Sequence, residues 1–497
     1  MPRLINRSRL LKLLVPPALL FGVILAWALS SPVGSSPDDD FHLASIWCAQ
    51  GEREGLCEGT NSDASREVPS AISSARCYTY LVDQSGACVD LGEGLQRTER
   101  VDATGVYPPV FYAFFSAFST PDVATSVLVM RAINGLIAVA LVTTTFWLLP
   151  QRLRTAFAVS LAASLVPLGL FLLGSTNPSS WALLSAATLW ATLTASYGSS
   201  PRRRWALLGV SLVAATMGAG ARADAAAFAV FAVMLAAILG WRRGVRWLAP
   251  AATSLVIVVI SLLFYLGADQ SASVVNGLQN EDPPLTAAQH VSNLLELPSL
   301  WVGAIGGWGL GWLDTPMPSV VWVSTTVVMG AAVFLAIRGL RLRRGLATAF
   351  AGAALVVVPF VLLAQTNAVV GLQVQPRYIL PLLIILLGVS AATARSSEWW
   401  AGGRAYLAAA LLTVATAVSL HINIRRYTTG LDDAAVDPGA DAEWWWSGVA
   451  SPLAVWIVGS VCAGALLMFL AWQVGRVGET TSGAVTVPEE QAQGVDR

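Results

Sequence analysis

The chain has 497 residues, of which 55% are hydrophobic and only 12% charged, and its mean hydropathy is +0.63. A soluble protein of this length is far less apolar, so the composition indicates a polytopic membrane protein. The formal net charge is zero. Basic residues beside apolar segments are first of all a topology signal, so no nucleic-acid partner is implied.

Many segments are long and apolar enough to cross a bilayer, which predicts an all-α polytopic membrane fold with about twelve transmembrane helices. The first resembles a signal peptide, but its long apolar run favours a retained anchor. The membrane domain is expected over 1–474, and a disordered cytoplasmic tail over 475–497. The predicted spans are roughly residues 11–30, 123–149, 156–173, 180–198, 205–220, 224–240, 248–267, 318–337, 346–363, 378–394, 404–421 and 450–474.

Arginine and lysine residues occupy every second connection, beginning with the segment before the first span. Cations near span ends are retained in the cytoplasm, so this pattern predicts a multi-pass protein with both termini cytoplasmic and membrane lipids around it. The alternate connections are then extracytoplasmic loops, over 31–121, 267–317 and 421–447, and the first is the largest.

Four of the five cysteines lie in the first of these loops. An even number in an oxidising compartment favours two disulfides, and the short separations favour Cys48–Cys57 with Cys77–Cys88 among the three possible pairings. A zinc site is the alternative interpretation, but no CxxC spacing supports it.

Three carboxylates and an imidazole directly follow the first span, as Asp38, Asp39, Asp40 and His42. Carboxylates at a membrane face repel one another, so they need a metal, a cationic partner or a shared proton. One of them could simply cap the helix suggested by residues 41–48, although a single Asp suffices for a cap. Adjacent aspartates also offer oxygen ligands for magnesium, manganese or calcium, so all three are candidate metal ligands.

Two arginines fall on the same predicted face as these acids. Arg222 lies just beyond the fifth span and Arg377 just before the tenth, beside Tyr378. Either arginine alone could snorkel to the lipid headgroups. Together they suit a phosphate, because a guanidinium offers fixed donors to phosphate oxygens. Arg131, inside the second span, is expected to pair within the bundle.

Aromatic residues mark two further places near this face. Tyr107 opens an aromatic stretch, residues 107–118, that suits a helix lying in the membrane interface. Trp312 and Asp314 precede the eighth span. They could belong to an aromatic belt, or they could stack and hydrogen-bond a sugar ring, and their spacing does not separate the two interpretations.

A series of short motifs resembles a bacterial family of predicted membrane proteins, domain of unknown function 2142, which itself resembles the GT-C glycosyltransferases. The resemblance covers roughly spans one to ten. In chain order the motifs are Pro37-Asp38-Asp39 with His42, Tyr107-Pro108-Pro109, Asn177-Pro178, Arg222, Gly311-Trp312-Leu313-Asp314-Thr315, and Arg377-Tyr378 with Pro381.

The resemblance implies a GT-C-like enzyme of the bacterial plasma membrane. It would move a sugar from a polyprenyl-phosphate donor to a cell-envelope glycan or lipid acceptor on the extracytoplasmic face. Asp38 or Asp39 would be the catalytic base, and the family tends to have Asp-Glu where this chain has Asp-Asp. The substrate-binding residues would be His42, Tyr107, Arg222, Trp312, Asp314, Arg377 and Tyr378.

Other classes of protein compete with this interpretation. Twelve spans also suit a transporter or a flippase of lipid-linked glycans, although those proteins carry their polar residues near the bilayer midplane rather than at one face. A polymerase or ligase of lipid-linked glycans would share the substrates but place its key groups in a late external loop. An inactive scaffold is also compatible with the sequence.

Overall fold

A computed structural model describes residues 7–92, 94–241, 247–269, 283–432 and 435–483. This part of the chain is mostly helical. Its helices are α1 (Arg7–Leu29), α2 (Asp39–Cys48), α3 (Ser70–Ser73), α4 (Val110–Phe115), α5 (Val123–Leu148), α6 (Gln151–Ala162), α7 (Leu168–Leu173), α8 (Ser179–Ser196), α9 (Pro201–Ala219), α10 (Ala223–Gly240), α11 (Leu248–Leu266), α12 (Ala287–Val302), α13 (Ser319–Ile337), α14 (Leu342–Thr366), α15 (Pro376–Ser390), α16 (Ser396–Trp399), α17 (Gly403–Thr428) and α18 (Pro452–Gly483).

Short elements complete the connections between these helices. Three strands, β1 (Glu58–Gly59), β2 (Arg66–Pro69) and β3 (Leu95–Thr98), form a small antiparallel sheet in that order. Glu67 of β2 lies opposite Arg97 of β3. A π-helical turn over Gly303–Gly307 follows α12.

Seven of the described helices are long and apolar enough to cross a membrane, namely α5, α10, α11, α13, α14, α17 and α18. Leu13–Leu29 and Pro376–Ser390 are apolar but shorter. The all-α membrane character is therefore confirmed, whereas the expected number of about twelve spans is not. One predicted span, 156–173, is divided between α6 and α7, because Pro167 between them lacks the N–H that would continue a helix.

The core of the membrane body is α8, in which every residue is buried. It packs against α9, α10 and α15, while α18 packs against α1 and α17. Helices α8 and α9 match the predicted segments 180–198 and 205–220. Serine and threonine recur along α8, and three arginines open α9, and neither helix is among the seven that are long and apolar enough to cross a membrane.

The long connection between α1 and α5 contains α2 to α4 and the small sheet, and we call the end of the molecule that carries it the loop face. Both predicted disulfides, Cys48–Cys57 and Cys77–Cys88, are present in it. Its apolar core includes Trp47 and Phe111, which are fully buried. That the loop face is extracytoplasmic stays a prediction from the arginine pattern.

Two helices extend past the predicted ends of their spans. Helix α17 continues to Thr428, about two turns into the connection expected over 421–447. Helix α18 continues to Gly483, beyond the expected tail boundary at residue 475, and residues 484–497 lie outside the described chain. The connection expected over 267–317 contains α12 in its described part.

The packing of α15 on α8 gives a stability test. A Cβ added at Gly388 would lie 2.3 Å from Cε2 of the fully buried Trp190. Because overpacking forces neighbouring groups apart, Gly388→Ala is expected to cost about 1–3 kcal/mol. The measurement is thermal unfolding of the purified chain in detergent. Gly352→Ala in α14, where an added Cβ meets nothing within 4 Å, is the matched control. Equal unfolding temperatures for the two variants would contradict the packing.

Candidate functional site

The segment that leads from α1 to the acidic cluster is fixed by Arg131 of α5, which is 1% exposed. Its guanidinium donates hydrogen bonds to the carbonyl oxygens of Ala28, Ser31 and Pro32 at 2.9, 2.6 and 2.7 Å. Carbonyls at the end of a helix lack partners within the helix, so the two terminal nitrogens of this buried arginine supply donors to them. The carboxylate of Asp39 lies 3.9 Å from the same guanidinium. Arg131 therefore pairs within the bundle, as predicted.

Asp38 is the N-cap residue of α2, yet its side chain makes no capping hydrogen bond. Its backbone is left-handed, with φ 59° and ψ 24°, a conformation that Asp tolerates better than most residues. The carboxylate points instead to two guanidinium groups. Arg377 Nη2 lies 2.5 Å from one oxygen and Arg100 Nη2 lies 3.0 Å from the other. Helix capping therefore does not explain why an aspartate stands at position 38.

The three consecutive aspartates have separate environments. The side chain of Asp38 is 34% exposed, whereas that of Asp39 is fully buried and that of Asp40 is 5% exposed. Asp39 accepts a hydrogen bond from Thr176 Oγ1 at 3.1 Å. Asp40 is paired with Arg100, whose Nε lies 2.7 Å away.

The described structure does not gather the three aspartates around one point. Guanidinium groups balance the charges of Asp38 and Asp40, and Asp39 faces Arg131 below them. Within the described ranges, no group of three or more His, Cys, Asp or Glu side chains could hold a metal ion. The residues present do not fit a shared divalent cation, so we assign no step to one.

The protonation states of the acidic segment follow from burial and these pairs. Burial raises the pKa of Asp38, but Arg377, with smaller contributions from His42 and Arg100, holds that pKa well below its usual range. Burial also raises the pKa of Asp39, and Arg131 offsets only part of that rise. Burial lowers the pKa of His42 to about 3. At neutral pH, Asp38 is thus ionised and His42 is neutral.

Arg222 and Arg377 share one aromatic neighbour. The guanidinium carbons of Arg222 and Arg377 lie 5.4 and 5.2 Å from the centroid of the Tyr378 ring. Arg222 also lies 5.9 Å from the Tyr107 ring and donates from Nε and Nη2 to Asp224 at 2.9 and 2.8 Å. We define the loop-face cluster as Asp38, Arg100, Tyr107, Arg222, Asp224, Arg377 and Tyr378.

His42 forms part of the wall beneath this cluster. Its Nδ1 lies 2.8 Å from the hydroxyl of Tyr112, and its ring meets the Tyr107 ring edge to face at 5.4 Å. The other ring nitrogen, Nε2, is buried and has no hydrogen-bond partner among the described residues. The structure thus brings His42 and Tyr107 together beside Asp38.

Trp312 and Asp314 serve a different purpose from the one expected. Trp312 is 8% exposed and donates from Nε1 to the carbonyl of Gly34 at 3.0 Å. Asp314 accepts from Arg426 Nη2 at 2.9 Å and from the backbone N–H of Tyr80 at 3.1 Å. A buried indole offers no free face to a sugar ring. Both residues therefore fasten the loop to the membrane body, and we remove them from the candidate site.

Sequence reasoning missed Arg100 and Arg426. Arg100 follows β3, and pairing of β3 with β2 returns the chain to the acidic segment. Arg426 lies in the last turn of α17, inside a predicted external loop, and is fully buried. No local pattern marks either residue, because both acquire partners only through contacts between distant segments.

The fold and this site together define a polytopic membrane protein with a charged cluster at one face. The chain matches the predicted membrane protein family DUF2142 over residues 20–386, well over half of its length, and it belongs to that family. The match begins within α1 and ends within α15, so it includes Asp38, Arg222 and Arg377. No curated protein and no solved structure matches the chain.

The lowered pKa of Asp38 predicts a pH-dependent contribution to stability. Folding stabilises its ionised form, so this contribution is complete above the ordinary carboxyl pKa of about 4 and is lost as the pH falls below it. We expect Asp38→Asn to lower the free energy of unfolding by about 1–2 kcal/mol at pH 7, because the partly exposed pair is screened by solvent. The measurement is thermal unfolding in detergent between pH 7 and pH 3.

Asp122→Asn is the control for this experiment, since Asp122 caps α5 by accepting from the Thr125 N–H and Asn caps equally well. The difference between wild type and Asp38→Asn should shrink towards pH 3. A difference that stays constant over this range would show that the ion pair does not stabilise the fold.

Proposed function

We propose that the protein is a GT-C-type membrane glycosyltransferase that passes a sugar from a polyprenyl-phosphate donor to a cell-envelope glycan or lipid acceptor. The reaction would take place at the loop face, which the arginine pattern puts outside a bacterial plasma membrane. One observation carries the proposal. A partly exposed carboxylate, Asp38, lies between two arginines without capping its helix.

Asp38 is the base in this proposal. An acceptor hydroxyl is a poor nucleophile, so Asp38 would take its proton as the oxygen attacks the anomeric carbon. Asp39 is fully buried beside Arg131 and is not accessible to an acceptor. Of the two adjacent aspartates, Asp38 is therefore the candidate base.

The arginines would receive the departing phosphate. As the bond between the anomeric carbon and the phosphate oxygen breaks, the lipid phosphate gains negative charge, which guanidinium groups stabilise. Both arginines retain donors for this purpose. Arg377 Nε has no hydrogen-bond partner among the described residues, and Arg222 Nη1 donates to the Ser179 hydroxyl over a long distance of 3.5 Å.

Donor binding would also strengthen the base. Asp38 with a lowered pKa is a weak proton acceptor while Arg377 is fully directed towards it. A phosphate on Arg377 would share the charge of that guanidinium, and its own negative charge would raise the pKa of Asp38. Proton removal would thereby be coupled to the presence of the donor.

Asp38→Asn tests the base directly. Asn keeps the size and tolerates the left-handed backbone but accepts no proton, so transfer is expected to fall by about 100-fold or more. The measurement is sugar transfer from a polyprenyl-phosphate donor in membranes that contain equal amounts of each variant. Asp122→Asn, on the same face, should transfer like wild type. If Asp38→Asn transferred sugar at the wild-type rate, Asp38 would not be the catalytic base.

Arg377→Lys tests the phosphate contact. Lysine keeps the positive charge but loses the planar fork, so we expect only partial activity, with a raised KM for the lipid donor, while Arg377→Ala loses more. Arg97→Lys, on an exposed strand of the same loop, is the control and should have no effect. Full activity of both variants would show that Arg377 forms only a structural ion pair and does not bind the donor phosphate.

A further inference from the structure

A second concentration of arginine lies at the end of the bundle opposite the loop face, where α8 and α10 end. It surrounds a cavity of about 880 Å³ that is lined by seven arginine side chains and by one carboxylate, that of Glu398. These arginines come from α6, α14 and α17 and from the connections around α14 and α16. We call this space the basic cavity.

The base of the cavity is formed by buried polar groups that keep free hydrogen-bonding capacity. Arg344 is 7% exposed, donates from Nη2 to the carbonyl oxygens of Arg338 and Gly339 at 3.1 and 2.9 Å, and lies 5.3 Å from the Trp399 ring centroid. Its Nε has no partner among the described residues. The hydroxyl of Thr194, also 7% exposed, has none either. Both side chains line the cavity, so each has a donor that can reach a polar ligand bound there.

The charge of the cavity is not balanced by the protein. None of its seven arginines forms an ion pair with a carboxylate in the described part of the chain. Several guanidinium groups around one space repel one another unless an anion lies between them. Their planar forks suit phosphate oxygens, which accept two parallel hydrogen bonds.

The preference of arginine for one side of a membrane does not by itself explain why these seven arginines surround one cavity. The tendency of arginine to stay on one side of a membrane places cations at helix ends, where they extend separately towards the headgroups. It does not gather them around one cavity with a buried arginine at its base. The neighbouring Trp241, 42% exposed, accepts a hydrogen bond from Arg343 at its carbonyl. Because exposed tryptophan is typical of the membrane interface, Trp241 indicates that the cavity lies at the depth of the lipid headgroups.

We propose that the basic cavity binds a phosphate-bearing anion, supplied at this depth by the headgroup of an anionic phospholipid. Basic pockets between membrane helices on this side are suited to such headgroups. This site is separate from the loop-face cluster, so the proposal does not depend on the glycosyltransferase activity.

The test uses the full chain, purified in a neutral detergent and freed of lipid. Its affinity is measured by native mass spectrometry and by thermal stabilisation with phosphatidylglycerol, phosphatidylcholine or inorganic phosphate. We expect phosphatidylglycerol to bind and stabilise, and phosphatidylcholine not to. Stabilisation by phosphatidylglycerol alone would assign the site to a lipid headgroup, and equal stabilisation by inorganic phosphate would assign it to free phosphate.

Two variants remove exposed cavity arginines, Arg341→Gln and Arg395→Gln. Each should raise the apparent Kd for the stabilising anion about tenfold, since one charge-assisted hydrogen bond is lost. Arg202→Gln, an exposed arginine at the start of α9 outside the cavity, should leave the Kd unchanged. Equal affinities for wild type and both cavity variants, or equal binding of phosphatidylcholine, would overturn the proposal.

Discussion

The buried guanidinium of Arg131 is the interaction on which the loop face depends. A charge inside a membrane bundle is tolerated only when its hydrogen-bonding capacity is met. Here the partners are three carbonyl oxygens at the end of α1 and just beyond it, with the carboxylate of Asp39 close by. One side chain of α5 thereby fixes the path of the chain from α1 to α2.

That path determines the position of Asp38. Because Asp39 faces inward to Arg131, its neighbour turns outward through a left-handed residue and meets Arg377 and Arg100. Strained backbone of this kind persists only where the surroundings hold it, and it is concentrated at functional sites. The same contacts keep the carboxylate of Asp38 ionised and leave it the most exposed of the three aspartates.

Part of the fold and of the candidate site can be predicted from the sequence. The composition predicts a membrane protein. The four cysteines of the first loop and their short separations predict both disulfides. The positions of Asp38 and Arg377 beside apolar spans predict that the two residues share one face. The number of about twelve spans is not confirmed, and the predicted segment 156–173 is interrupted near Pro167, which hydropathy does not register. The partners of Trp312 and the pairing of Arg100 with Asp40 depend on the fold of the first loop, which has no local signature.

The proposed function depends most directly on where a lipid phosphate binds. The decisive measurement is a structure of the full chain in a lipid nanodisc with a polyprenyl-phosphate bound. We expect its phosphate to contact Arg377 and Arg222, with a carboxylate oxygen of Asp38 directed towards the space for the acceptor. A phosphate bound away from the loop face, with the pair of Asp38 and Arg377 unchanged, would contradict the proposed function.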